Sequence, residues 1–208
     1  MSAASFFTLL FSLAVSGAAS ATWDIQNRVV IEHGKLVIDH SKTVMEITGA
    51  QGKGGFKADL GVGLFQNRLK TELAFDEVSF PGKRVYLTTR ITTAPIIYVA
   101  RELPKESCAY QLVLGHEFQH QEYDLEVLRA MPDEIRHITR HVISADALEH
   151  TNKLDQKRAM GHFFQKFNYV YKALGEMRHT VIDSPESYRR LSQMCDGEVG
   201  KLLGAKPR

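Results

Sequence analysis

The sequence predicts an α+β protein in which a mostly antiparallel β-sheet is followed by about four helices. Apolar and polar residues alternate with a period of two from about Asn27 to Ala100, and turn residues separate the runs. After Pro104 the apolar period becomes that of a helix, and Gly and Pro become rare. The change of period divides the chain into a β-rich part and a helical part.

The composition limits the classes of protein to which this chain can belong. The chain has 208 residues, of which 44% are hydrophobic and 24% charged, as expected of a globular chain with a substantial core. The formal net charge of +2 and the absence of any Lys/Arg-rich run argue against a nucleic-acid partner. We expect a single domain over residues 22–208, β-rich at 22–103 and helical at 104–208.

The N-terminal segment differs from the rest of the chain and is typical of a signal peptide. An apolar run from Phe6 to Val15 is too short to cross a bilayer as a helix, and Ala19-Ser20-Ala21 fits a signal-peptidase site. We therefore predict cleavage near Ala21 and a secreted or periplasmic protein without a stable membrane anchor. The alternative is a buried N-terminal helix.

The β-rich part contains six candidate strands. The first two are expected to form a pair through a turn at His33-Gly34, and Ala94-Pro95 separates the last two. In chain order the candidates are Arg28–Glu32, Lys35–His40, Val44–Thr48, Leu69–Val78, Arg84–Thr92 and Ile96–Ala100.

The helical part has clear start and stop signals. Ser107 is a candidate N-cap for a helix from Cys108 to about Ala130, and Met131-Pro132 is expected to end it and begin a second. The further helices are predicted at about 133–150, at 153–179 with an aromatic stripe in the core, and after Ser184-Pro185.

The two cysteines are Cys108 and Cys195. In an exported protein an even count predicts a disulfide, which here would join the start of the first helix to the last helix. If the chain is not exported, two free buried thiols are the alternative.

The segment from Leu112 to His120 contains the motif HExxH. His116 and His120 project from one helix face, so both imidazoles can bind one metal ion. Glu117 lies between them, where it can accept a proton from a water that zinc activates by lowering its pKa toward ~7. We predict one Zn²⁺, with the two histidines as ligands and Glu117 as general base.

The motif, within a helix that follows an apolar strand, resembles the zincin peptidases over about Ile96 to His150. In that family the HExxH helix follows an edge strand that pairs with an extended substrate. Tyr123 and Glu126 stand where a metzincin has its glycine and third histidine, so the resemblance is to the glutamate-ligand (gluzincin-like) class. The layout is also similar to that of uncharacterised exported bacterial domains with HExxH after a cysteine-bearing helix start.

The third ligand of that class comes from a following helix. On a wheel of ~100° per residue, Glu149 falls on the apolar stripe of the predicted second helix, where an unpaired carboxylate would be costly. A turn at Met131-Pro132 would carry it back to the level of the two histidines. Asp146 and His141 are the alternatives, and Asp124 is expected to be a partner of the site rather than a ligand.

These observations predict an exported zinc metallopeptidase whose substrate is a peptide or protein, including those of the cell envelope. Candidates for stabilising the oxyanion are Tyr169, Tyr171, His179 and Tyr188, which the sequence does not rank. The alternatives are a non-catalytic periplasmic zinc-binding protein and an envelope interaction module without a metal.

Overall fold

The structure is a computed structural model that describes residues 24–51, 61–79, 84–143 and 153–204. The predicted signal peptide at 1–21 lies outside these residues. The strands are β1 (Asp24–Glu32), β2 (Val37–Asp39), β3 (Gly63–Ser79) and β4 (Arg84–Val99). The helices are α1 (Val44–Gln51), α2 (Cys108–Val142), α3 (Lys153–Ile182), α4 (Pro185–Gln193) and α5 (Glu198–Leu202), with a 3₁₀ turn at Cys195–Gly197.

The sheet is built around β4, the central strand. β1 pairs in parallel with its first part and β2 in parallel with its last part, so these two strands follow one another along one edge of β4. β3 pairs antiparallel with the whole length of β4 on the other side. The α+β class therefore holds, but the prediction of a mostly antiparallel sheet is wrong, because β1-β4-β2 is a parallel arrangement.

The first two predicted strands do not form a hairpin. β1 and β2 run in the same direction beside β4. Gly34 between them is required for a different reason, since a β-carbon there would overlap the carbonyl oxygen of Thr93. The period of two reports that one face of a strand is buried, and it does not report the direction of the neighbouring strand.

The sequence predicted that Ala94-Pro95 separates two strands, and this prediction is wrong. β4 continues through both residues, because the pairing with β1 ends at Thr92 and the pairing with β2 begins at Ile96. Pro95 lies in the gap between the two, where a missing N–H costs no bond of the parallel ladder. The predicted strand Ile96–Ala100, which the resemblance to the zincins matched to their edge strand, mostly belongs to the central strand β4.

The predicted strand at Val44–Thr48 is helix α1. Thr43 and Glu46 form a capping box: the N–H of Glu46 donates to Thr43 Oγ1 (3.1 Å), and the N–H of Thr43 donates to Glu46 Oε2 (2.7 Å). This local signal favours a helix more strongly than the apolar pattern of the segment favours a strand.

α2 is a single helix of 35 residues that contains Pro132. The predicted break at Met131-Pro132 is therefore wrong. Leu128, Met131 and Ile135 are fully buried and continue one apolar stripe across the proline, which outweighs its cost of roughly 3 kcal/mol in a helix interior.

The main core lies between the sheet, α2 and α3. Alternate residues of β4 point towards the helices, and Phe163 and Phe167 of α3 fill the opposite side, as the aromatic stripe predicts. The other face of the sheet is covered at one end by α1, where Val44 and Ile47 pack on Tyr98. In the described part of the chain, no helix is both long and apolar enough to cross a membrane.

Candidate metal centre

The HExxH side chains lie on the buried face of α2. His116, Glu117 and His120 are 8%, 5% and 6% exposed. The helix that carries them begins at Ser107, whose hydroxyl accepts the N–H of Tyr110 at 3.1 Å, as expected of an N-cap. The Nε2 atoms of His116 and His120 are 3.3 Å apart, so the two rings face a common point.

Asp183 completes the group. It lies at the corner between α3 and α4, immediately before Ser184, which caps α4. Its Oδ1 is 3.2 Å from His116 Nε2 and 3.0 Å from His120 Nε2. The ligand atoms of the three residues all lie within 4.8 Å of one another, so this group could hold a metal ion.

The spacing of these atoms fits a small tetrahedral cation such as zinc. Zinc bonds to nitrogen and oxygen at about 2.0–2.1 Å, so neighbouring ligand atoms of a tetrahedral site lie about 3.3 Å apart. The three distances between the nitrogens and Asp183 Oδ1 are 3.0–3.3 Å. Without a metal, the two rings can donate hydrogen bonds to the carboxylate at the same distances, so the spacing is compatible with a metal ion and does not identify it.

His179 fixes the orientation of one ligand ring. Its Nδ1 is 2.6 Å from Nδ1 of His120, so one of the two nitrogens donates to the other. Burial, together with the neighbouring His120, lowers the pKa of His179, which favours a neutral ring that can accept. When a metal is bound, donation from His120 Nδ1 leaves the lone pair of Nε2 for the metal; without a metal, a proton on Nε2 is donated to Asp183 Oδ1 instead.

Asp124 anchors the next turn of α2 and does not belong to the ligand group. Asn67 of β3 donates to its Oδ2 at 2.6 Å, and the hydroxyl of Tyr171 in α3 donates to its Oδ1. Burial and the adjacent charge of Asp124 raise the pKa of Tyr171 far above its ordinary value, so the hydroxyl keeps its proton. We call Asn67, Asp124 and Tyr171 the anchor network.

Glu117 points to the first residues of β3. The backbone N–H of Phe65 donates to its carboxylate, and Gly63 lies directly against it. Burial raises the pKa of Glu117 to about 6, and the nearby rings of His120 and His116 partly oppose the rise. The carboxylate is thus held beside the ligand rings without being part of the ligand group.

Tyr188 of α4 lies on the open side of the group. Its hydroxyl donates to Asp183 Oδ1 at 3.1 Å, its ring centroid is 6.0 Å from that of His116, and the residue is 46% exposed. Burial alone would raise the pKa of Asp183, but hydrogen bonds from His116, His120 and Tyr188 hold it far below its usual range.

The predicted disulfide is present. Cys108 and Cys195 are joined across 87 positions of sequence, with Cα atoms 5.6 Å apart. The bond ties the 3₁₀ turn after α4 to the first turn of α2. The segment that carries Asp183 and Tyr188 is therefore covalently held to the helix that carries the HExxH motif.

The structure brings together the three motif residues, and among the described residues the carboxylate grouped with the two histidines is that of Asp183. Glu149 and Asp146 lie outside the described residues. The turn predicted at Met131-Pro132 is not formed, since α2 continues to Val142. His141 is exposed, and its Nδ1 is 2.9 Å from the carbonyl oxygen of His137 in the same helix.

Sequence reasoning missed Asp183. One signal was available: His179 and Asp183 are four positions apart at the end of a helix, so they share a face. Two of the oxyanion candidates contact the ligand group, since Tyr188 donates to Asp183 and His179 is hydrogen-bonded to His120. Tyr171 is instead hydrogen-bonded to Asp124, and Tyr169 is 73% exposed.

Comparisons with models of protein families, with curated proteins and with solved structures found no match for this chain. The case for a function therefore depends on these residues and their geometry.

Proposed function

We propose that the protein is an exported zinc-dependent peptidase, with zinc held by His116, His120 and Asp183 and with Glu117 as general base. The observation that carries the proposal is the meeting of two imidazole nitrogens and a carboxylate oxygen beside a buried glutamate. Two histidines and one carboxylate form a ligand set that catalytic zinc uses.

In the proposed hydrolysis the metal ligands, Glu117 and Tyr188 have separate roles. Zinc held by His116, His120 and Asp183 would supply a Lewis acid that activates water. Glu117 accepts the proton of the attacking water and delivers it to the leaving amine. Tyr188 is partly exposed and would exchange the hydrogen bond that it donates to Asp183 Oδ1 for one to the oxyanion that forms on the substrate carbonyl.

A peptide substrate is supported by the position of β3. Among the described strands, β3 pairs only with β4, and its first residues contact Glu117. An extended peptide can add to such an edge through main-chain hydrogen bonds. Export is supported by the disulfide, since disulfides persist in oxidising compartments.

The metal is tested first. The chain from Thr22, with its disulfide formed, is purified and its zinc content measured by mass spectrometry. His116→Ala and Asp183→Ala are expected to lose zinc. His141→Ala, on the same helix but exposed, and Glu149→Ala are expected to retain it. Retention of zinc by Asp183→Ala together with its loss in Glu149→Ala would return the third ligand to Glu149.

Catalysis is tested on a broad peptide library. Glu117→Gln should keep zinc and lose hydrolysis by about 10²–10⁴-fold, the usual effect of removing a general base. Glu122→Gln is the matched control, because Glu122 is exposed one turn further along α2. Full hydrolysis by Glu117→Gln would overturn the peptidase proposal. Bound zinc with no turnover in the unmodified protein would favour the non-catalytic zinc-binding alternative.

A further inference from the structure

Gly63 packs against the helix at the proposed general base. A β-carbon on Gly63 would lie 2.7 Å from Val113 Cγ1 and 3.0 Å from Glu117 Cδ, and it would overlap Glu117 Oε1. A β-carbon on Gly115, the residue before His116, would have no atom within 4 Å. A larger residue therefore has space at Gly115 in the motif segment, whereas at Gly63 in β3 it would collide with Glu117 and Val113.

Backbone conformation does not explain a glycine at position 63. The positive φ angles among the described glycines are those of Gly197 and Gly204, so Gly63 has a conformation open to any residue. It is paired with Val99 in the regular β3–β4 ladder. What the position lacks is space, and the space is taken by the side chains of Glu117 and Val113.

A second contact from the same strand acts on the same carboxylate. The backbone N–H of Phe65 donates a hydrogen bond to Glu117. β3 therefore touches this side chain twice, with a bare α-carbon at Gly63 and a hydrogen-bond donor two residues later. Glu117 is a flexible side chain, and these contacts restrict where its carboxylate can lie.

We propose that Gly63 is a positioning residue for Glu117: the absence of a side chain lets β3 lie against the carboxylate and hold it in the orientation needed for proton transfer. This inference depends on the proposed function, because it assumes that Glu117 exchanges protons with substrate water. Gly63 acts on the reaction only through Glu117, and it is not a member of the metal-ligand group.

The first test is Gly63→Ala in the zinc-loaded full chain. The added methyl group displaces the Glu117 carboxylate, so we expect kcat to fall by about 10²-fold, as misplacement of a catalytic group by ~1 Å does. Zinc stoichiometry stays unchanged because the metal ligands are intact, and the loss falls on kcat more than on KM because alanine retains the main-chain groups of the β3 edge. Gly115→Ala is the matched control and keeps full kcat. An unchanged kcat in Gly63→Ala would overturn the inference.

The second test asks whether Gly63 acts through Glu117. Glu117→Asp shortens the side chain by one methylene and moves the carboxylate out of reach of the new methyl group. In that background Gly63→Ala should leave kcat unchanged, whereas a general disturbance of the fold would lower kcat by the same factor in both backgrounds. Equal losses would overturn the inference.

Two controls separate failure of this inference from other failures. If Glu117→Gln retains hydrolysis, the proposed function fails, whatever Gly63→Ala does. If Gly63→Ala does not fold, the double variant Gly63→Ala/Val113→Ala relieves the contact with Val113 and leaves the one with Glu117. Loss of kcat with retained zinc in that double variant, relative to Val113→Ala alone, supports the inference, and equal kcat in the two overturns it.

Discussion

Glu117 is a carboxylate that folding buries away from water. Its pKa is raised from 4.5 to about 6, chiefly by burial. The favourable contribution of the protonated form is fully present below about pH 4.5 and is lost as the pH rises through about 6. At neutral pH the ionised group therefore costs the native state about 2 kcal/mol, since its pKa rises from 4.5 to about 6 on folding.

Replacement of Glu117 by Gln should stabilise the metal-free protein at neutral pH. We expect the free energy of unfolding to rise by up to about 2 kcal/mol at pH 7.5, and the gain to shrink towards zero near pH 4.5. Urea unfolding of chelator-treated protein at the two pH values measures both effects. Glu122→Gln, at an exposed position, should change neither. A gain that is equal at both pH values would contradict the assignment of the cost to ionisation.

The residues of the site differ in how far sequence alone could predict them. His116, Glu117 and His120 were predictable because their geometry is local: a helix fixes residues four apart on one face. Asp183 was not, because it reaches the site through the packing of α3 against α2. Glu149 was predicted from the cost of a buried carboxylate and from a helix break at Met131-Pro132, and α2 is continuous there.

At the scale of elements, the anchor network joins three of them. Asp124 of α2 accepts hydrogen bonds from Asn67 of β3 and from Tyr171 of α3. Asp124 is 8% exposed, so loss of a donor would leave a buried charged group with one bond fewer. The network lies one turn from His120 and fixes the two helices that bring His120 and Asp183 together.

Removal of the Tyr171 hydroxyl tests this role. Tyr171→Phe should lower the free energy of unfolding by about 1.5–3 kcal/mol, as expected for a hydrogen bond to a charged group. Tyr169→Phe, on the same helix but 73% exposed, should have no effect. Thermal or urea unfolding of both variants gives the comparison, and equal stabilities would show that the network contributes nothing.

Pro132 is a second feature of element scale. It lies within α2 and cannot donate the helix hydrogen bond of its position. Pro132→Ala should therefore stabilise the protein by about 1–3 kcal/mol without changing zinc content. Gly161→Ala in α3, where a β-carbon meets no atom within 4 Å, is the reference for an ordinary gain of about 1 kcal/mol. A destabilised Pro132→Ala would mean that the proline supports a bend that packing requires.

Elements were predictable where local chemistry decides them. The caps at Ser107 and Ser184 and the course of α3 follow from local residue preferences. Strand direction and the continuation of α2 through Pro132 depend on burial against distant residues, which no local pattern reports. α1 is the exception, because its capping box at Thr43 and Glu46 was visible in the sequence.

On the scale of the whole molecule, the disulfide holds the two ends of the helical part together. Replacing both Cys108 and Cys195 by Ser should lower the free energy of unfolding by about 4–5 kcal/mol, from the closure of a long loop. Zinc affinity should fall as well, because Asp183 lies on the released segment. Met194→Ser, beside Cys195 and 45% exposed, is the control. Unchanged zinc affinity in the double variant would show that packing alone holds the corner with Asp183.

The ligand group also draws on distant parts of the chain: His120 and Asp183 are 63 positions apart. An unfolded chain cannot present the three atoms together, so the zinc we propose binds only the folded form. Mass action then adds about 2.7 kcal/mol of stability when free zinc is 100 times its dissociation constant. For the exported protein that we propose, resistance to proteolysis would consequently follow the zinc supply of its surroundings and fall when competing chelators deplete the metal.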